Sequence, residues 1–208
     1  MLDAVARRVL EAPLARTAGV LDRSWLSPDR LTALGLALGL GSAIAAAAQA
    51  WTPALVLWLV SRLADGLDGP LARRRRAAGA GEDAGSGGFF DITADFCVYG
   101  ATVVGVAIGA TAGHGSAWLP FLLVLLAYYV NGTAFLAFSS IAERAGRRLD
   151  DGRSLSFLGG LAEGTETILV HSLWLLLPWY AEEIAWGWAA VVAVSAAQRI
   201  GAGYRALR

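Results

Sequence analysis

Lysine is absent from this chain of 208 residues, so all 17 of its basic side chains are arginines. Cysteine occurs once, at Cys97, which excludes an internal disulfide and leads us to expect a small packed side chain there. Charge is also scarce: Asp, Glu and Arg make up 16% of the residues and sum to zero. What fills the chain instead is apolar, at 56% of residues with a mean hydropathy of +0.54. With the charges confined to short islands, this composition describes an integral membrane protein rather than a soluble domain. The lack of lysine beside abundant Ala, Gly and Arg suggests a bacterial genome of high GC content.

A bilayer core about 30 Å thick requires about 20 mostly apolar residues per helix. Six stretches meet that requirement, at residues 31–50, 54–72, 89–110, 117–141, 157–179 and 184–203. The expected fold is therefore all-α, with six transmembrane helices in one membrane domain over 31–208 and an N-terminal segment over 1–30. That segment has no continuous apolar core, so no cleavable signal peptide is expected. Leu2, Val5, Val9 and Leu10 fall at helical spacing beside Arg7 and Arg8, a pattern that predicts an amphipathic helix on the membrane surface.

The arginines orient the bundle. Five precede the first stretch, four lie at Arg73 to Arg76, four lie between Arg144 and Arg153, and three lie from Arg199 onward. The alternate loops near Thr52, Gly113 and Glu182 carry none, as expected for six spans with both termini in the cytoplasm. Trp51, Trp118, Trp179, Trp186 and Trp188 fall at the opposite ends, where an interfacial belt is expected. The basic face suits anionic headgroups or phosphorylated substrates, and it also serves simply to set topology.

Against this background four acids stand out: Asp65, Asp68, Asp91 and Asp95. A carboxylate at the bilayer centre costs about 2.5–3.5 kcal/mol on insertion scales, which makes each a functional candidate. Spacings of three and four put the members of each pair on one helix face, and a cytoplasmic loop sets the two pairs at similar depth. Four converging carboxylates repel unless a cation intervenes. Oxygen-only ligands, without His or Cys nearby, point to Mg²⁺ or Mn²⁺, and a pair of such ions is a common grip on a diphosphate. Gly69 and Gly87 stand where a missing side chain lets a ligand approach the backbone, or lets helices pack closely.

Read as one string, Asp65-x-x-Asp68-Gly69-x-x-Ala72-Arg73 followed by Gly87-x-x-x-Asp91-x-x-x-Asp95 resembles the signature of the CDP-alcohol phosphotransferases. One departure is the 13 residues between Arg73 and Gly87, longer than the family's usual spacing and read here as a cytoplasmic loop extension. Ser27-Pro28-Asp29-Arg30-Leu31-Thr32 looks like the family's Pro-Asn-x-x-Thr entry to the first span, with Asp29 in place of Asn. The segments from Gly87 to Ile92 and from Gly159 to Ile168 are similar to a bacterial inner-membrane branch of the family.

The resemblance implies that Asp65, Asp68, Asp91 and Asp95 ligate two divalent cations holding the diphosphate of a CDP-linked lipid such as CDP-diacylglycerol. Asp95 becomes the general base toward an alcohol acceptor, and CMP leaves. Gly69, Ala72, Arg73 and Gly87 contact the CMP part, with Asp29 and Thr32 at the nucleotide's border. For the acceptor, Arg144, Arg153 and Arg199 either bind a phosphorylated alcohol such as glycerol 3-phosphate or inositol phosphate, or remain solvated topology charges. Glu163 and Glu166, three apart, line that site or pair with one of these arginines. Arg62, one turn before Asp65, is expected as a charge partner, and His171 as a packed polar residue. Family members often form homodimers, and the small residues of the third and fourth spans permit one. Two other classes stay open: a Mg²⁺-dependent membrane prenyltransferase, and an ion or proton transporter.

Overall fold

A computed structural model describes residues 2–79, 85–145 and 161–208, with side chains from residue 8 onward. Every regular element in it is helical. The order is α1 (Leu2–Leu21), α2 (Pro28–Ala47), α3 (Trp51–Ala77), α4 (Ser86–His114), α5 (Leu119–Arg144), α6 (Gly164–Leu176) and α7 (Ala181–Leu207). A short 3₁₀ turn, Pro178–Tyr180, joins the last two.

Local chemistry explains the helix ends. Ser27 caps α2, its hydroxyl accepting from the Arg30 N–H at 3.2 Å, while Pro28 opens the first turn where its missing N–H costs nothing. Gly115 ends α4 in the left-handed region at φ 71°, and the N–H of Ser116 returns to the Ala110 carbonyl at 3.4 Å.

Small residues then set the packing. Helix α2 lies along both α3 and α4, and α5 lies along α7. A Cβ placed at Gly105 or Gly109 of α4 would collide with the backbone carbonyls of Ala43 and Ala46, so these glycines let two backbones touch. The core that results is built around Trp58, Val98, Val103, Val106, Phe121 and Trp174, all essentially inaccessible. Helix α1 packs on α3 through Ala18, Leu67 and Leu71, and Asp22 takes ion pairs from Arg75 at 3.0 Å and Arg74 at 3.2 Å.

The outside of the bundle carries many large apolar side chains. Ile44 and Tyr129 are 71% and 73% exposed, and Leu63, Leu126 and Val194 also face outward. That much exposed hydrocarbon suits lipid rather than water. By length and composition, α2, α4 and α5 are each able to cross a membrane. Helices α3 and α7 have 27 residues each, about 40 Å at 1.5 Å per residue, but carry more charge or less hydropathy than these three. The described part of α6 has 13 residues; the beginning of the predicted stretch 157–179 lies outside the described residues.

Three expectations are corrected. Cys97 is exposed on the outer face of α4 rather than packed inside. Trp188 is no interfacial residue: it is 5% exposed, and its indole N–H donates to the Tyr128 hydroxyl at 2.6 Å. The arginine run after Arg73 is not loop, because Arg74–Ala77 continue α3 and the Asp22 pairs hold that last turn against α1.

Candidate active site

Helices α3 and α4 both pack on α2 and face each other through their side chains, and the facing turns carry the acids. Asp65, Asp68 and Asp91 each offer a carboxylate oxygen, and these oxygens lie within 4.8 Å of one another. The i, i+3 step on α3 and the start of α4 opposite it produce this convergence, because both set side chains on the shared face. Asp68 is the deepest, at 7% exposure, and Oδ2 of its carboxylate accepts from the Thr32 hydroxyl at 2.6 Å. Three hard oxygen donors in this small volume fit a divalent cation of the magnesium type.

Asp95, one turn beyond Asp91, has a different partner. Its Oδ1 accepts from Arg62 Nη1 at 2.6 Å, and the same nitrogen lies 3.6 Å from Asp65 Oδ2. Arg62 is thus the charge partner expected from its position. Its guanidinium sits over the rings of Trp58 and Tyr99, 5.3 and 5.1 Å from their centroids, and donates through Nη2 to Ser61 Oγ at 3.1 Å. Ser61 in turn donates to the Gly35 carbonyl at 2.7 Å. A buried cation survives only when paired and hydrogen-bonded, and this shell of rings, hydroxyls and carboxylates supplies both conditions. Four aspartates against one arginine carry a formal surplus of three negative charges when all are ionised, a state that a cation between them favours.

The other expected residues divide by position. On α3 Gly69 follows Asp68 directly and Ala72 lies one turn beyond it, and Arg73 reaches back so that its Nη1 would stand 3.3 Å from a Cβ at Gly69. A side chain at Gly69 would therefore crowd the guanidinium. Gly87 is in the first turn of α4, one turn before Asp91, and Asp29 is exposed in the first turn of α2. Thr32 binds Asp68 directly, which ties the α2 entry to the acid cluster.

The residues expected around the acceptor are spread more widely. Arg144 is exposed at the end of α5, and Arg153 lies outside the described residues. Arg199 is buried at 6% exposure, with its guanidinium 5.9 Å from the Phe135 ring and Nη2 3.5 Å from the Ala162 carbonyl. Glu163 precedes α6 as its cap residue, and Glu166 occupies the first turn. Ser195 of α7 accepts from the Ala162 N–H at 3.2 Å, so α7 fastens the entry to α6 from two positions.

Sequence reasoning did not single out Ser61, Trp58 or Tyr99. The signal was present: Trp58, Arg62 and Asp65 share a face of α3, and Asp91, Asp95 and Tyr99 repeat every four residues on α4. His171 is the packed residue expected, stacked on Trp58 at 4.9 Å and hydrogen-bonded to the Tyr128 hydroxyl at 2.9 Å.

Comparison with known proteins agrees with this geometry. The family model described as CDP-alcohol phosphatidyltransferase matches residues 25–197. The chain is also similar to a protein named inner membrane protein YnjF from Escherichia coli (strain K12), 38% identical over 188 residues that cover 87% of this chain and 85% of the relative. The family model takes in α2 to α5 and most of α7, and with them every aspartate of the cluster. The chain belongs to the CDP-alcohol phosphatidyltransferase family, transferases of substituted phosphate groups.

Proposed function

We propose that this protein transfers a phosphatidyl group from a CDP-linked lipid such as CDP-diacylglycerol to an alcohol, releasing CMP. The observation that carries the reading is the convergence of Asp65, Asp68 and Asp91 from two helices onto one small volume, within 4.8 Å, in a chain of this family.

In this reading Asp65, Asp68, Asp91 and Asp95 hold two divalent cations, Mg²⁺ or Mn²⁺. When bound, such ions neutralise the diphosphate and the charge that develops on it during displacement. Gly69, Ala72, Arg73 and Gly87 receive the CMP part, Arg73 toward a phosphate oxygen, with Asp29 and Thr32 at the nucleotide's border. The acceptor hydroxyl attacks the lipid-side phosphorus and its proton passes to Asp95. The bond from that phosphorus to the bridging oxygen breaks, and CMP leaves with the electron pair. Positioning and charge neutralisation supply the rate. Arg144, Arg153, Glu163, Glu166 and Arg199 are proposed to surround the acceptor.

The proposed setting is the bacterial inner membrane, as the name of the Escherichia coli relative suggests. Six spans place both termini and the acids on the cytoplasmic side, in line with the arginine distribution. A homodimer is proposed as well, through outward small residues such as Gly100 of α4, since Gly105 and Gly109 are already taken by α2.

The test uses the full chain in vesicles with CDP-diacylglycerol, Mg²⁺ and a panel of glycerol 3-phosphate, inositol phosphate, serine and choline. CMP release with one acceptor, abolished by chelation and by Asp95→Asn, is the expected result. No CMP release from any combination overturns the reading.

A further inference from the structure

Among the described residues, Arg62 is the basic side chain paired with the acids Asp65 and Asp95, and the family motif string does not include it. Its two terminal nitrogens are both engaged, while its buried Nε has no hydrogen-bond partner among the described residues. Trp58, one turn earlier on α3, and Tyr99, one turn beyond Asp95 on α4, lie against the guanidinium on neighbouring sides, their own ring centroids 6.0 Å apart. Ser61 holds Nη2 and is itself held by the Gly35 carbonyl of α2. Only Nη1 is directed at the acids, at 2.6 Å from Asp95 Oδ1 and 3.6 Å from Asp65 Oδ2, with the Tyr99 hydroxyl 3.4 Å away. An arginine locked by two rings and a hydroxyl has little freedom left, so the carboxylate bound to it inherits a fixed position.

The consequence falls on Asp95. Its side chain is 31% exposed, and among the described residues its carboxylate accepts only from Arg62, through Oδ1. Oδ2 remains for a ligand.

We propose that Arg62 is a positioning residue for Asp95, anchoring one carboxylate oxygen so that the other faces the acceptor hydroxyl. The inference rests on the phosphatidyl-transfer reading above. A general base acts only within hydrogen-bond reach of its proton, and a carboxylate free to rotate toward cations bound on Asp65, Asp68 and Asp91 spends less time in that reach. Arg62 keeps Oδ1 out of that competition, so that Asp95 meets the cation site and the acceptor proton through Oδ2 alone.

Two variants test this, Arg62→Gln, which removes the charge and the fork, and Arg62→Lys, which keeps the charge. Each is read by CMP release, by KM for the CDP-lipid, and by Mn²⁺ affinity of the lipid-free protein from electron paramagnetic resonance. Arg62→Gln is expected to lower kcat by about tenfold to a hundredfold, the scale of a misplaced catalytic group, with KM changed by less than about threefold. Its Mn²⁺ affinity should equal or exceed that of the wild type, because Asp95 is released and a positive charge is gone. Arg62→Lys should recover part of kcat.

Unchanged kcat in folded Arg62→Gln overturns the proposal. So does a fall in kcat accompanied by weakened Mn²⁺ binding, since Arg62 would then only hold the site together. Should Arg62→Gln not fold, Arg62→Lys decides: a lowered kcat at unchanged KM supports positioning, and wild-type kcat reduces Arg62 to a structural charge. Failure of the underlying reading looks different, because the wild type itself would then release no CMP.

Discussion

The hydroxyl of Thr32 lies 2.6 Å from Oδ2 of Asp68, joining two residues 36 positions apart in the chain. Thr32 sits in the first turns of α2 and Asp68 deep on α3, so this one bond fastens the entry of the first apolar helix to the acid cluster. Removing it leaves a buried carboxylate oxygen without its donor, at a cost of about 1–3 kcal/mol. Thr32→Val is expected to lower the melting temperature of the protein in chelator and to slow CMP release, while Thr32→Ser restores both. Equal behaviour of the two variants would refute a role for the hydroxyl.

The three gathered acids should behave as a unit toward cations. Asp65→Asn, Asp68→Asn and Asp91→Asn are each expected to weaken Mn²⁺ binding and to cut CMP release by about a hundredfold or more, the scale of a lost charge in a water-poor site. Titrating Mn²⁺ against each purified variant checks it. A substitution that leaves both quantities at wild-type values removes that residue from the ligand set.

Beside its apolar contacts, the attachment of α1 has an electrostatic part in the Asp22 ion pairs. Arg75 and then Arg74 beside Asp22 hold its carboxyl below the usual carboxylate range of about 4. A depressed folded-state value contributes stability that is fully present above the unfolded value and lost as pH falls through the folded one. Protection of the α1 amides from hydrogen exchange should therefore persist from neutral pH down to about 4 and decline below it. Asp22→Asn should reduce that protection already at neutral pH, with CMP release unchanged. Insensitivity of exchange to the substitution would mean that Ala18, Leu67 and Leu71 hold the helix unaided.

Close helix contact makes a further prediction. A Cβ at Gly105 meets the Ala43 backbone, which cannot swing aside, whereas a Cβ at Gly100 on the same helix meets nothing within 4 Å. Gly105→Ala should destabilise by about 1–3 kcal/mol, the usual cost of overpacking. Gly100→Ala should be neutral or stabilise slightly, since alanine favours helix over glycine by up to about 1 kcal/mol. Melting curves of the two variants in one detergent distinguish them, and a similar loss in both would sink the packing argument.

Helix positions were legible in the chain because lipid demands long apolar runs. The predicted stretches at 31–50, 89–110 and 117–141 each fall within a few residues of α2, α4 and α5. The ends of α2 and α3 shifted because capping by Ser27 and Pro28, and continued backbone bonding past Arg73, do not depend on hydropathy. Trp188 illustrates the opposite case: a tryptophan near a span end reads as interfacial, yet α5 brings Tyr128 beside it and it became core. Cys97 was misplaced for the same reason, since one-dimensional spacing does not say which face of α4 meets α2.

By itself, the order of residues determined the all-helical class, the apolar stretches and the two acid pairs, because helical periodicity and the cost of charge in hydrocarbon act locally along the chain. Only the tertiary structure decided how those acids divide. Packing of α3 and α4 on α2 gathers Asp65, Asp68 and Asp91, while Arg62, lying against rings from both helices, takes Asp95. Identical carboxylates differ in role through the neighbours that packing supplies, and those neighbours come from elements distant in the chain.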